Sequence, residues 1–82
     1  MPVTYILFSS KLQKHYIGAC TDIDRRLHEH NNGHSKFTSL GIPWTVLYVK
    51  EFETLVLAKQ FELKIKKMKS KKYILELIAN KT

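Results

Sequence analysis

The sequence predicts an α+β domain: a three-stranded, mainly antiparallel sheet flanked by helices, in the order β-β-α-β-α-α. Three observations carry the prediction. Stretches rich in β-branched and aromatic residues recur at Val3–Ser10, at "HYIGA" and at Trp44–Phe52. Apolar residues fall at helical spacing after Thr21–Asp22 and again after Thr54. The chain has 82 residues and shows no repeat, linker or low-complexity tract apart from late lysine crowding, so one domain over 1–82 is expected.

The elements follow in order. "VTYILFSS" reads as a strand, "KLQK" as a polar break and "HYIGA" as a second strand, so the two form a hairpin. Pro2 is tolerable at a strand start. Thr21 or Asp22 caps a helix from Ile23 to about Asn31, and "NNG" ends it with residues suited to a left-handed terminus. Residues 33–43 read as a polar loop. In "WTVLYVKEF", strict alternation puts Trp44, Val46, Tyr48 and Lys50 on one face. Thr54 starts a longer helix through about Met68, Ser70 marks a break, and "KKYILELIAN" makes a last helix.

Composition narrows the partners. Hydrophobic residues make up 44% and charged residues 26%, ordinary for a folded domain and too apolar for a disordered one. Fourteen Lys and Arg stand against seven Asp and Glu, a net charge of +7, which points to polyanions: nucleic acid first, an anionic membrane surface second. Cys20 is the lone cysteine, so neither an internal disulfide nor a cysteine metal cage can form. "MPVTYILFSS" has no basic leader, and no segment approaches the ~20 apolar residues of a membrane span. A reduced, cytoplasmic setting is the expectation.

Several polar groups sit where solvent alone does not explain them. On the first helix, Ile23 and Leu27 define the buried stripe. Arg25 and His28 point away from it, whereas Arg26 and His30 flank it. Arg26 therefore needs an anion, either a carboxylate or a phosphate. His30 is either a satisfied half-buried histidine or a group with a chemical task. On the longer helix, Leu55, Ala58, Phe61, Ile65 and Met68 share one arc, and Glu62 lies within it. An ionised carboxylate there must be paired, with Arg26 or a lysine, or bind a metal. Tyr16 and Gly18 share a strand face, and the glycine lets another group approach closely.

A strand "TYIL", then "YIG" with its tyrosine eleven residues after Tyr5, an arginine ten residues beyond Tyr16, a histidine four later, and the helix "FETLVLAKQFELKIKK" together resemble the GIY-YIG nuclease family. The likeness runs from about Val3 to Ile78 and is nearest the small stand-alone bacterial type. It implies a metal-dependent endonuclease that hydrolyses phosphodiester bonds in DNA. By that resemblance, Tyr5 and Tyr16 line the active site, one of them orienting or activating water, and Arg26 holds the scissile phosphate. His30 takes an auxiliary place as proton relay or phosphate contact, Gly18 is the motif glycine, and Glu62 is the ligand of a single Mg2+ or Mn2+ ion. Two departures stand out: "TYI" replaces Gly-Ile-Tyr, and Ala19 and Cys20 follow "YIG" where many relatives place a lysine or threonine. Asn80, at the very end, is assigned no role.

Lys64, Lys66, Lys67, Lys69, Lys71 and Lys72 crowd nine residues around the last break. They are either a solubilising surface or a phosphate track that Lys36 and Arg25 extend. Nothing resembles a base-reading helix-turn-helix or zinc finger, so recognition by structure rather than sequence is expected, of DNA before RNA, with room for a protein partner that supplies specificity. The alternative is a non-catalytic nucleic-acid-binding module that keeps the nuclease fold.

Overall fold

The computed structural model describes residues 1–33 and 36–80, and the Phe37 side chain lies outside that description. The first strand, β1 (Val3–Ser9), is apolar on both faces and buried at every position except Phe8, which is half-buried. Its place explains this: the sheet order is β2-β1-β3, with β2 (Lys14–Cys20) and β3 (Trp44–Glu51) both antiparallel to it. A short turn joins β1 to β2, with Gln13 in the left-handed region at φ 55°.

Cross-strand pairing sorts the side chains. Tyr5 opposes Gly18 and Leu7 opposes Tyr16, so these four share one face with Val3 and Cys20. Val3, Tyr5, Leu7, Cys20 and Trp44 form the buried cluster there, and Ile23 and Leu27 of α1 (Ile23–Asn31) pack onto it. Thr4, Ile6 and Ile17 lie on the other face. The Thr4 hydroxyl donates to the Ala58 carbonyl at 2.6 Å, which fixes α3 (residues 55–68) on that side. The last helix, residues 71–79, packs against α3 and β3.

The strand β3 departs from strict alternation. Leu7 opposes Val46 while Ile6 opposes Tyr48, so Leu47 is an extra residue, a β-bulge. Trp44 and Val46 therefore join the α1 face, whereas Tyr48 and Lys50 turn to the opposite one. The expectation that all four share a face fails there, because one inserted residue reverses the period-two pattern.

Helix boundaries follow their caps. Asp22 Oδ1 accepts from the Arg25 amide at 3.1 Å, and Gly33 (φ 76°) supplies the left-handed residue after α1. Thr54 caps α3, and Ser70 caps the last helix. One correction falls between α1 and β3, where a polar loop was expected over residues 33–43. Lys36–Ser39 forms a short helix, α2, so α3 is Leu55–Met68 and α4 is Lys71–Ala79. The Trp44 indole holds α2 in place by donating to the Thr38 carbonyl at 2.6 Å, a side-chain tie that local residue preference does not reveal. His34 and Ser35 lie outside the described residues. The order of the three strands and three longer helices is the expected β-β-α-β-α-α. A second correction concerns Met68, expected in the core stripe. The stripe ends at buried Ile65, and Met68, one residue before the left-handed cap Lys69, is 48% exposed.

Candidate active site

The Tyr5 ring lies across Gly18. A Cβ added at Gly18 would fall 2.5 Å from Tyr5 Cζ, so any larger residue at this position collides with the phenol. The close approach expected at the glycine is made here by the Tyr5 ring. Tyr5 is 1% exposed, and that burial, followed by the nearby Tyr16 phenol, pushes its pKa well above the ordinary value of 10.0. The positive charge of the Arg26 guanidinium pulls the other way.

The Tyr5 hydroxyl meets Nε2 of His30 at 3.3 Å, and His30 Nδ1 meets the Thr38 hydroxyl at 3.1 Å. His30, on the last turn of α1, is buried, and burial followed by the Arg26 charge lowers its pKa from 6.5, with Glu29 opposing. A neutral imidazole offers one donor and one acceptor. Both ring nitrogens are thus engaged, Nε2 with the Tyr5 hydroxyl and Nδ1 with the Thr38 hydroxyl, the donor in each contact being set by the tautomer. The edge of Tyr16 packs against the same imidazole, ring centroids 4.9 Å apart, and against Trp44 at 6.1 Å. Tyr16 is half-buried and so reaches toward solvent where Tyr5 cannot.

Arg26 also faces a carboxylate. Its Nε is 3.3 Å from Glu29 Oε1, and Arg25 Nε is 3.5 Å from Glu29 Oε2. The Arg26 side chain remains 44% exposed, and it borders a small polar recess of about 120 Å³ shared with Cys20, Asp22 and Glu29. Arg25 is far more exposed, as its position on the wheel implies. Burial raises the Cys20 thiol pKa, so it is a packed thiol on this face.

Glu62 stands elsewhere. It lies between Ala58 and Ile65, the two buried residues of α3, and its side chain is 19% exposed. Its carboxylate accepts from Lys66 Nζ at 2.6 Å, so of the partners the sequence allowed, the lysine is the one it has. Glu62 is carried by α3, which Thr4 ties to β1, and its partner Lys66 lines a groove with Lys14 beside the edge strand β2. The structure therefore brings Tyr5, Tyr16, Arg26 and His30 together and leaves Glu62 on the helix packed against β1 and β2. Among the described residues, no group of three or more His, Cys, Asp or Glu could hold a metal ion. A single carboxylate with waters still suits magnesium, which sheds its hydration reluctantly.

The lysine run divides between two surfaces rather than forming one track. Lys66, Lys69 and Lys71 line a groove with Lys14, whereas Lys64 and Lys67 border a separate depression with Leu63 and Met68. Helix phase separates them, since the two residues from Lys64 to Lys66 turn the side chain by about 200°, whereas the three from Lys64 to Lys67 bring it nearly back to the same side. Lys72 and Lys36 are exposed on α4 and α2. Sequence reasoning missed Glu29 and Thr38. The first was readable at i+3 and i+4 from the two arginines. The second lies in the stretch that reads as a polar loop, with no signal of its own.

A small α+β domain whose central strand sets a buried tyrosine against a second tyrosine, a histidine and an arginine has the make-up of a phosphodiester-handling nuclease domain. The family model described as the GIY-YIG catalytic domain matches residues 1–74, and the chain belongs to that family. The fold is thus of nuclease type, the family is one of endonucleases acting on nucleic acid, and its members generally depend on a divalent metal. No curated protein and no solved structure matches the chain significantly. Among the described residues, no helix is long and apolar enough to cross a membrane.

Proposed function

We propose that the chain is a metal-dependent endonuclease that hydrolyses phosphodiester bonds in DNA, directed by the structure of the substrate rather than its sequence. The supporting observation is the convergence of Tyr5, Tyr16 and Arg26 on the buried imidazole of His30. Arg26, half-exposed and near the Tyr5 phenol, presents its fork of donors to the non-bridging oxygens of a phosphate. Tyr16 orients the attacking water from the solvent side. Tyr5 keeps its proton at neutral pH and, through His30 and Thr38, holds Arg26 and Tyr16 in register. Glu62 is the residue that would hold Mg2+ or Mn2+, and the ion when bound supplies charge neutralisation to the leaving oxygen. The Glu62–Lys66 contact favours a second reading, a nucleic-acid-binding module without turnover.

Nicking of supercoiled plasmid separates the two. Conversion to open circle with magnesium or manganese and none with chelator supports the enzyme. Salt-sensitive binding without cleavage under any metal condition supports the module.

A further inference from the structure

A groove of about 410 Å³ runs between the β1–β2 turn and the elbow joining α3 to α4. Lys14, Lys66, Lys69 and Lys71 line it over an apolar floor that includes Ile17 and Ile65, and no Asp or Glu is among its lining residues. Of these lysines, Lys66 alone has a carboxylate partner among the described residues. The α4 N-terminus, capped by Ser70, opens onto the groove with Lys71 as its first residue, adding the positive end of the helix dipole. The positive field already registers inside: His15, also in the lining, has its pKa lowered by burial and then by Lys71. The groove and the tyrosine cluster lie on the two sides of the β2 edge, with Lys14 of the groove lining two residues from Tyr16 on the same strand. That spacing is about 7 Å along a strand.

From this we infer that the groove carries the sugar–phosphate backbone of a nucleic-acid strand leaving the Tyr16–Arg26 site around the β2 edge. The lysines take phosphates, and the isoleucine floor takes the less polar sugar faces. Lys64, Lys67 and Lys72 are outside this path. The inference rests on the proposed nuclease reading for its substrate class, yet it is tested by binding alone.

The experiment measures fluorescence anisotropy of a labelled DNA oligonucleotide with the full chain in chelator, so that no cleavage intervenes, across a salt series. Replacing Lys14, Lys69 and Lys71 together by alanine is expected to weaken binding by about tenfold or more at low salt and to flatten the log–log salt slope by about 3. Replacing Lys64, Lys67 and Lys72, the same number of charges, should cost markedly less. Equal losses in the two triple variants overturn the groove and leave only a diffuse basic surface. No salt-sensitive DNA binding by the wild type, or tighter binding of a labelled poly-glutamate peptide than of DNA, overturns it as well. A wild type that binds with the predicted asymmetry but never nicks plasmid retains the groove and removes the hydrolytic reading.

Discussion

The Tyr5 hydroxyl and His30 Nε2 lie 3.3 Å apart in the buried interior, although 25 residues separate them along the chain. This contact joins the central strand to the end of α1 and sets the orientation of the ring against which Tyr16 rests. Tyr5→Phe removes the hydroxyl and strands a buried nitrogen, so it should destabilise the fold by about 1–3 kcal/mol. Urea unfolding measures the loss. A stability equal to wild type would mean that the contact contributes nothing.

Acidification tests the same imidazole. His30 has a folded pKa below the ordinary 6.5, so between the two values the unfolded chain binds more protons. Stability should therefore rise with pH up to about 6.5 and be lost as the pH falls below it. Thermal unfolding from pH 7.5 down to pH 5 should show a steeper decline in wild type than in His30→Gln. His15, whose pKa is lowered in the same direction, is retained in both proteins and cancels.

Gly18 and Tyr5 are coupled sterically. Gly18→Ala places a methyl group against the phenol ring and should cost about 1–3 kcal/mol. Tyr5→Phe gives no relief, because the clash includes the ring carbon Cζ. With Tyr5→Leu in the background, the cost of Gly18→Ala should shrink. A double-mutant cycle with additive energies would contradict this geometry.

Arg26→Ala and Glu62→Gln should each reduce plasmid nicking by about 10²–10³-fold. The ion pairs they break are partly exposed helix pairs, so the unfolding free energy should change by no more than about 0.5 kcal/mol. Retention of nicking in both variants would point to a contaminating activity.

Lys66 competes with any cation for the Glu62 carboxylate. Electron paramagnetic resonance of Mn2+ should show tighter binding to Lys66→Met than to wild type, and loss of that binding in Glu62→Gln. Unchanged Mn2+ affinity in both variants would remove Glu62 as the ligand.

Much of the frame was legible because its signals are local. Asp22, Thr54 and Ser70 mark helix starts by hydrogen bonds made within three residues, and Gly33 marks a stop by its φ. The tyrosine, arginine and histidine positions were readable from a motif whose spacing matches a strand pair followed by a helix. What escaped depends on side-chain ties between elements. Thr38 acquires its place from His30 and Trp44, so no capping residue or apolar period predicts a short helix there. The sequence allows Glu62 Arg26, a lysine or a metal as its partner, since the wheel shows which arc a residue occupies but not which side of the sheet the helix covers. Thr4 decides that through its bond to Ala58.

The extra residue at Leu47 gives β3 two allegiances. Its first half contributes Trp44 to the layer that holds the phenols and the imidazole, while its second half sends Tyr48 toward α4. Pairing every residue of β3 in turn, with Leu47 opposite Ile6, would restore an unbroken zigzag, yet it would also swing an ammonium, Lys50, away from the Phe52 and Phe61 rings it now covers and onto the wrong side of the sheet. The irregularity is thus a structural divider, letting one short strand serve two differently constituted interiors.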